Sequence, residues 1–135
     1  MSHYKAYVCV VATILAAAPV ARADRHFSNG DLRGSYSWTL QGTFAGTSLV
    51  AVNQFLADGE GVFSGERTIN LGTGGLNTTF VCRYSIKPNG FGTATCDVEI
   101  LGRENFVFVL TDAGRRIHFI SITPGAVIRG EAEKQ

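Results

Sequence analysis

Two cysteines, Cys82 and Cys96, bracket the tripeptide Pro88-Asn89-Gly90, and this arrangement constrains the fold more than any other feature of the chain. Proline presets φ for the first turn position and glycine accepts the left-handed third one, which predicts a three-residue hairpin loop with a bulge. Pairing Lys87 with Phe91 across that loop and counting outward brings Cys82 opposite Cys96. The same count puts them at a non-hydrogen-bonded position, where antiparallel Cα atoms approach to about 4.5 Å, near the short end of what a disulfide spans. The spacing therefore predicts a cross-strand disulfide, worth about 3 kcal/mol in the chain-entropy picture. Two reduced, buried thiols are the alternative.

The register also sorts side chains. Phe80, Cys82, Tyr84 and Ile86 share a face with Ala94, Cys96, Val98 and Ile100, while Arg83, Ser85, Thr93, Thr95, Asp97 and Glu99 take the other. The first face is expected in the core and the second in water, with Arg83 diagonal to Asp97 as an ordinary surface pair. Asp58-Gly59-Glu60-Gly61 and Asp112-Ala113-Gly114 offer further turns, and no helix-period run with caps interrupts them. Strands are predicted over 34–42, 47–57, 61–71, 77–87, 91–100, 104–111, 115–122 and 126–133. An even number of antiparallel neighbours lets the last strand pair with the first, and closure removes exposed edges. The predicted fold is all-β, an eight-stranded antiparallel up-and-down β-barrel, with a two-sheet β-sandwich as the alternative. A barrel of this size is filled by its own side chains or holds one small ligand.

Residues 1–23 read as a cleaved signal peptide. Lys5 opens it, 6–20 is apolar, and Ala21-Arg22-Ala23 is a small-residue site with cleavage before Asp24. About fifteen apolar residues interrupted by Pro19 are short for a membrane span of roughly twenty. Removal leaves 112 of the 135 residues, and with Lys5 and Arg22 gone, ten of the twelve basic residues face eleven acidic ones. That balance excludes a nucleic-acid-binding surface. The expected organisation is an amino-terminal tail over 24–33 and one barrel domain over 34–135, secreted or periplasmic, where a disulfide persists.

The segment Leu32-Arg33-Gly34-Ser35-Tyr36-Ser37-Trp38 resembles the first strand of calycin-type barrels, the lipocalin and avidin-like architecture. The resemblance implies a cation from the last strand packed over an aromatic ring near the start of the barrel, and Arg129 is the matching residue. Tyr36 stands where the motif has tryptophan. The chain as a whole resembles small exported Gly-rich bacterial proteins of unassigned function, through Gly34-Ser35-Tyr36, Asp58-Gly59-Glu60-Gly61 and Asn89-Gly90-Phe91-Gly92-Thr93. Exported bacterial metalloprotease inhibitors are similar in size, strand number and single disulfide. That likeness implies an alternative role for Asp24 to Asn29 as a free tail entering a protease.

Catalytic candidates are few. His26 lies near the expected new terminus, and the turn at Asp112-Ala113-Gly114 predicts His118 opposite Phe108, with no carboxylate placed beside either histidine by the sequence. No zinc-type ligand spacing, nucleophile elbow or phosphate loop is present: Gly72-Thr73-Gly74-Gly75 does not open a helix. Asn77-Thr78-Thr79 fits a glycosylation sequon, which matters only in a eukaryotic secretory pathway. The expectation is a protein that is not an enzyme, with no catalytic residue, no metal and no cofactor.

The remaining signal is apolarity. Phe106-Val107-Phe108-Val109-Leu110, Ile117-His118-Phe119-Ile120 and Leu49-Val50-Ala51-Val52 are apolar at consecutive positions, so their outer faces are expected to be covered. The cover is either a partner, including a second copy docked through 104–111 and 115–122, or the segment 24–33 or a long loop. The expected function is binding, of a small apolar ligand inside the barrel or of a protein partner outside it. Tyr36, Trp38, Phe80, Tyr84, Phe106 and Phe108 are the residues expected to line the core or the cavity.

Overall fold

The structure, a computed structural model, describes residues 26–135; the expected leader, and Asp24 and Arg25 of the expected tail, lie outside the described residues. Eight strands follow in order: β1 Arg33–Phe44, β2 Thr47–Asp58, β3 Val62–Asn70, β4 Gly75–Ile86, β5 Phe91–Val98, β6 Gly102–Thr111, β7 Arg116–Ser121 and β8 Ala126–Lys134. Each is antiparallel to the next, and β8 closes on β1 from Tyr36 opposite Lys134 to Phe44 opposite Ala126. The up-and-down barrel is thus the observed architecture rather than the sandwich.

Side-chain alternation turns one row of each strand into a packed interior. Along β2, Leu49, Ala51, Asn53, Phe55 and Ala57 are buried while every intervening residue is exposed, the period-two pattern of a strand wrapped on a core. Inside, Trp38 stacks on Phe119 with centroids 4.7 Å apart and meets Phe55, Phe63, Phe80 and Phe106 edge-on at 5.4 to 6.3 Å. Such contacts add about 0.5–1.5 kcal/mol each beyond area burial. Gly92 makes room for this packing: a Cβ there would lie 2.3 Å from Cζ of Phe108.

The hairpin at Pro88-Asn89-Gly90 has the predicted register. The Lys87 amide donates to the Phe91 carbonyl at 2.8 Å, Gly90 takes φ of 88°, and Cys82 faces Cys96. The two cysteines are bonded, with Cα atoms 4.0 Å apart.

Three local expectations differ. Ile100 does not extend the buried row, because β5 ends at Val98 and Ile100 takes φ of 73° in the turn, 75 % exposed. The Asp97 carboxylate accepts from Arg103 at 3.2 Å, its direct partner on β6, rather than from diagonal Arg83. The third is a register slip. Asp112 and Ala113 both take positive φ, so the β6–β7 loop runs through Arg115 and pairs Thr111 with Arg116. His118 therefore faces Val109, not Phe108, and a one-residue slip moves a side chain to the opposite face. Phe119 points inward and His118 outward.

The two barrel ends differ. At one, Phe27 to Leu32 folds back over the opening, with Asn29–Asp31 forming a single helical turn. The Phe27 amide donates to the Pro88 carbonyl, the Ile86 amide to Asn29 Oδ1, and the Tyr84 hydroxyl to the Asn29 and Leu32 carbonyls. Tyr36 donates to the Gly114 carbonyl, and Leu32 is fully buried. From Phe27 onward the expected tail is a plug: it neither hangs free nor covers the outer wall. The other end, where the β1–β2, β3–β4, β5–β6 and β7–β8 turns gather, carries no such plug among the described residues.

Candidate binding site at the open end of the barrel

The inward row of β3 reads Phe63, Gly65, Arg67, Ile69, so alternation forces an arginine into the core. The inward row of β6 reads Glu104, Phe106, Phe108, Leu110 and places a carboxylate across the lumen from it. Arg67 Nη1 donates to both Glu104 oxygens, at 3.0 and 2.9 Å, and Nε donates to Asn53 Oδ1 at 2.8 Å. Asn53 in turn donates to the Trp38 carbonyl at 3.2 Å, tying the network to β1. The guanidinium carbon lies 5.6 Å from the Trp38 ring centroid and 5.3 Å from that of Phe80. A cation over aromatic faces is favoured by about 0.5–2 kcal/mol, which offsets part of the cost of taking the charge out of water. Among the described residues, Arg67 Nη2 and Trp38 Nε1 are buried side-chain nitrogens with no hydrogen-bond partner.

The cation over the ring is thus Arg67 of β3, not Arg129. Arg129 is exposed, because β8 turns Ile128, Gly130 and Ala132 toward the barrel axis and its neighbours outward.

Above this network lies an open-end pocket of about 120 Å³. Leu49, Ile69, Ile128 and Ala126 form its apolar wall, and Phe44, Leu71 and Leu101 its rim. Glu104, Arg103, Ser121 and Thr123 are its polar members. The Arg67 side chain is 1 % exposed and that of Glu104 is 21 % exposed, so the carboxylate is the part of the pair that meets the pocket.

The six residues expected to line the core or the cavity are all buried core residues. They pack on one another below the pocket, and none belongs to its lining. The pocket uses a different set, higher in the barrel. Its key pair, Arg67 and Glu104, was legible in one signal that the reading above did not use: each is a charged residue at core parity, in register with Phe63 and Ile69 or with Phe106 and Phe108. His118 stands on the outer wall, its Nδ1 3.5 Å from Glu131 Oε1, away from the pocket. Among the described residues no group of three or more His, Cys, Asp or Glu converges as metal ligands, and no helix is long and apolar enough to cross a membrane.

The chain matches no protein-family model and no curated protein. What the structure defines is a closed eight-stranded antiparallel barrel with one cross-strand disulfide, an architecture compatible with the calycin type.

Proposed function

We propose that this is an exported, non-enzymatic binding protein that holds a small, largely apolar ligand in the open-end pocket, in the manner of the calycin-type carriers it resembles. The observation that carries the reading is a pocket of about 120 Å³ with apolar walls, set over a charged pair in an otherwise aromatic core. An apolar cavity of about 150 Å³ accepts a benzene-sized molecule, so this one suits a ring or a short chain whose remainder extends into solvent. A buried ion pair is a poor stabiliser compared with apolar residues of the same volume, which argues for a role beyond holding the barrel closed. Among the described residues the carboxylate of the pocket lining is paired with Arg67, and His118 is on the other side of the wall, which favours binding over chemistry there.

A protein partner is the second reading. It is favoured by the outer stripe of β2, where Val52 and Leu56 are each 61 % exposed, and by Ile120 and Ile122 at the end of β7. The inhibitor-like alternative loses support, since Phe27 and Asn29, in the described part of its expected tail, are hydrogen-bonded and packed onto the barrel.

Native mass spectrometry of the protein purified from its own host, compared with its denatured, non-reduced mass, tests the carrier reading. A native excess on the order of a hundred daltons is expected for a pocket of this size. A bare native mass, together with no uptake of benzene-sized probes, would overturn it.

A further inference from the structure

We infer that the ligand presents a hydrogen-bond donor, a hydroxyl or an amine, and seats it on the Glu104 carboxylate; this rests on the reading that the open-end pocket is the binding site. Leu49, Ile69 and Ile128 offer a ligand no hydrogen bond from their side chains. The hydroxyls of the lining are engaged, and Arg103 is paired with a carboxylate outside it. Arg103 donates to Asp97, and Thr123 Oγ1 accepts from the Asn105 amide at 2.9 Å while Ser121 Oγ donates to the Asn105 carbonyl. Glu104 is the exception: each oxygen accepts one bond from a single nitrogen of Arg67. A carboxylate has about four acceptor sites, so capacity remains on the side that faces the pocket.

The same geometry selects against anions. A ligand carboxylate would meet Glu104 at contact distance, and the two nearby cations, Arg67 and Arg103, already have carboxylate partners. Arg67 is buried beneath Glu104 and does not line the pocket, and the charge of Arg103, which does line it, is offset by Asp97 outside the lining. A wholly apolar ligand would cover Glu104 and strip water from its spare acceptor sites without replacing it, which is unfavourable. A donor on an apolar body satisfies both the walls and the carboxylate.

Four probes of one size separate these cases: toluene, benzyl alcohol, benzylamine and benzoate, titrated against the protein from its own host and followed by NMR at the Leu49, Ile69 and Ile128 methyl groups. The alcohol and the amine should bind about tenfold tighter than toluene, as one hydrogen bond to a charged acceptor provides, and benzoate weaker than toluene. In Glu104→Gln, which keeps an oxygen for Arg67, the amine should lose that advantage while toluene is unchanged. Ile128→Trp, which fills the pocket and leaves Glu104 in place, should abolish binding of all four. Toluene or benzoate as the tightest probe, or an amine advantage that survives Glu104→Gln or Ile128→Trp, would overturn the inference. Should the Glu104→Gln barrel not fold, the order of the four probes on the native chain decides it. Binding of none would overturn the pocket reading itself, a separate result.

Discussion

Arg67 and Glu104 are unequal partners, and the inequality makes a prediction. The guanidinium is enclosed by Trp38, Phe80, Asn53 and Glu104, whereas the carboxylate borders the pocket and can turn toward water. Removing Glu104 strands a buried cation, but removing Arg67 leaves an anion with a route to solvent. Glu104→Ala should therefore cost about 3–5 kcal/mol, the penalty of breaking a buried pair, and Arg67→Met distinctly less. Urea unfolding of the two variants checks the order, and an equal or reversed cost would contradict it. The tyrosines carry a second prediction. Burial raises the Tyr84 hydroxyl from 10.0 to about 12, with the Asp58 charge adding to it, and burial raises Tyr36 as well. The native barrel thus keeps protons that the unfolded chain gives up. This contribution to stability is complete below pH 10.0 and is lost as pH rises toward about 12. Tyr4 and Tyr7 fall within the expected leader, so the cleaved protein should show no tyrosinate absorbance step centred near 10.0 while folded. A step there would contradict the burial of both rings.

Among the elements, the β4–β5 hairpin is the most locally determined. Its disulfide joins residues 14 apart in sequence, and both cysteines are fully buried. Reductant should not reach the bond in the folded barrel. Once unfolded and reduced, the chain should refold to a state about 3 kcal/mol less stable, by the loop-entropy argument. Alkylation and mass measurement check the first statement, and denaturant midpoints the second; rapid alkylation under native conditions would show that the hairpin opens. The β6–β7 connection is the contrasting case. Asp-Ala-Gly has the composition of a three-residue turn, yet the chain takes one residue more, with Asp112, Ala113 and Gly114 all at positive φ. Gly114 is buried, its carbonyl accepts from Tyr36, and a Cβ on it would lie 2.4 Å from the Asp31 carbonyl oxygen. The plug and β1 therefore hold the loop, and turn chemistry alone could not set the length.

Over the whole molecule, one end is closed by Phe27 to Leu32, the middle is filled with aromatic rings, and the other end keeps a pocket. That asymmetry is what the proposed carrier role requires and a solid barrel would lack. The outer wall supplies the competing reading, because Val50, Val52 and Leu56 run exposed along β2 between the polar outer residues of β1 and β3. On a free surface, Val52→Lys and Leu56→Lys should each change stability by no more than about 0.5 kcal/mol. If the stripe is an interface, the double variant should dissociate an assembly seen with the native protein by size-exclusion chromatography. An unchanged monomer in both would leave the wall without that role.

The strand number, the closed topology and the Cys82–Cys96 bond were legible in the sequence, because they rest on local rules: period-two alternation, and a Pro-Asn-Gly turn that sets its register within a few residues. The burial of Tyr36, Trp38, Phe80 and Tyr84 followed from the same alternation, whereas Phe106 and Phe108 lie in a run that is apolar at every position. Which of them lined a cavity did not, because volume left unfilled depends on how rings from different strands interlock across the lumen. The pairing of Arg67 with Glu104 joins residues 37 apart on strands that are not neighbours, and only barrel closure brings them face to face. The outward turn of His118 and Arg129 likewise awaited tertiary structure: one depended on a loop held by the plug, the other on β8 closing against β1. Local geometry determined the elements and their faces, and long-range packing decided which charges met and where space was left.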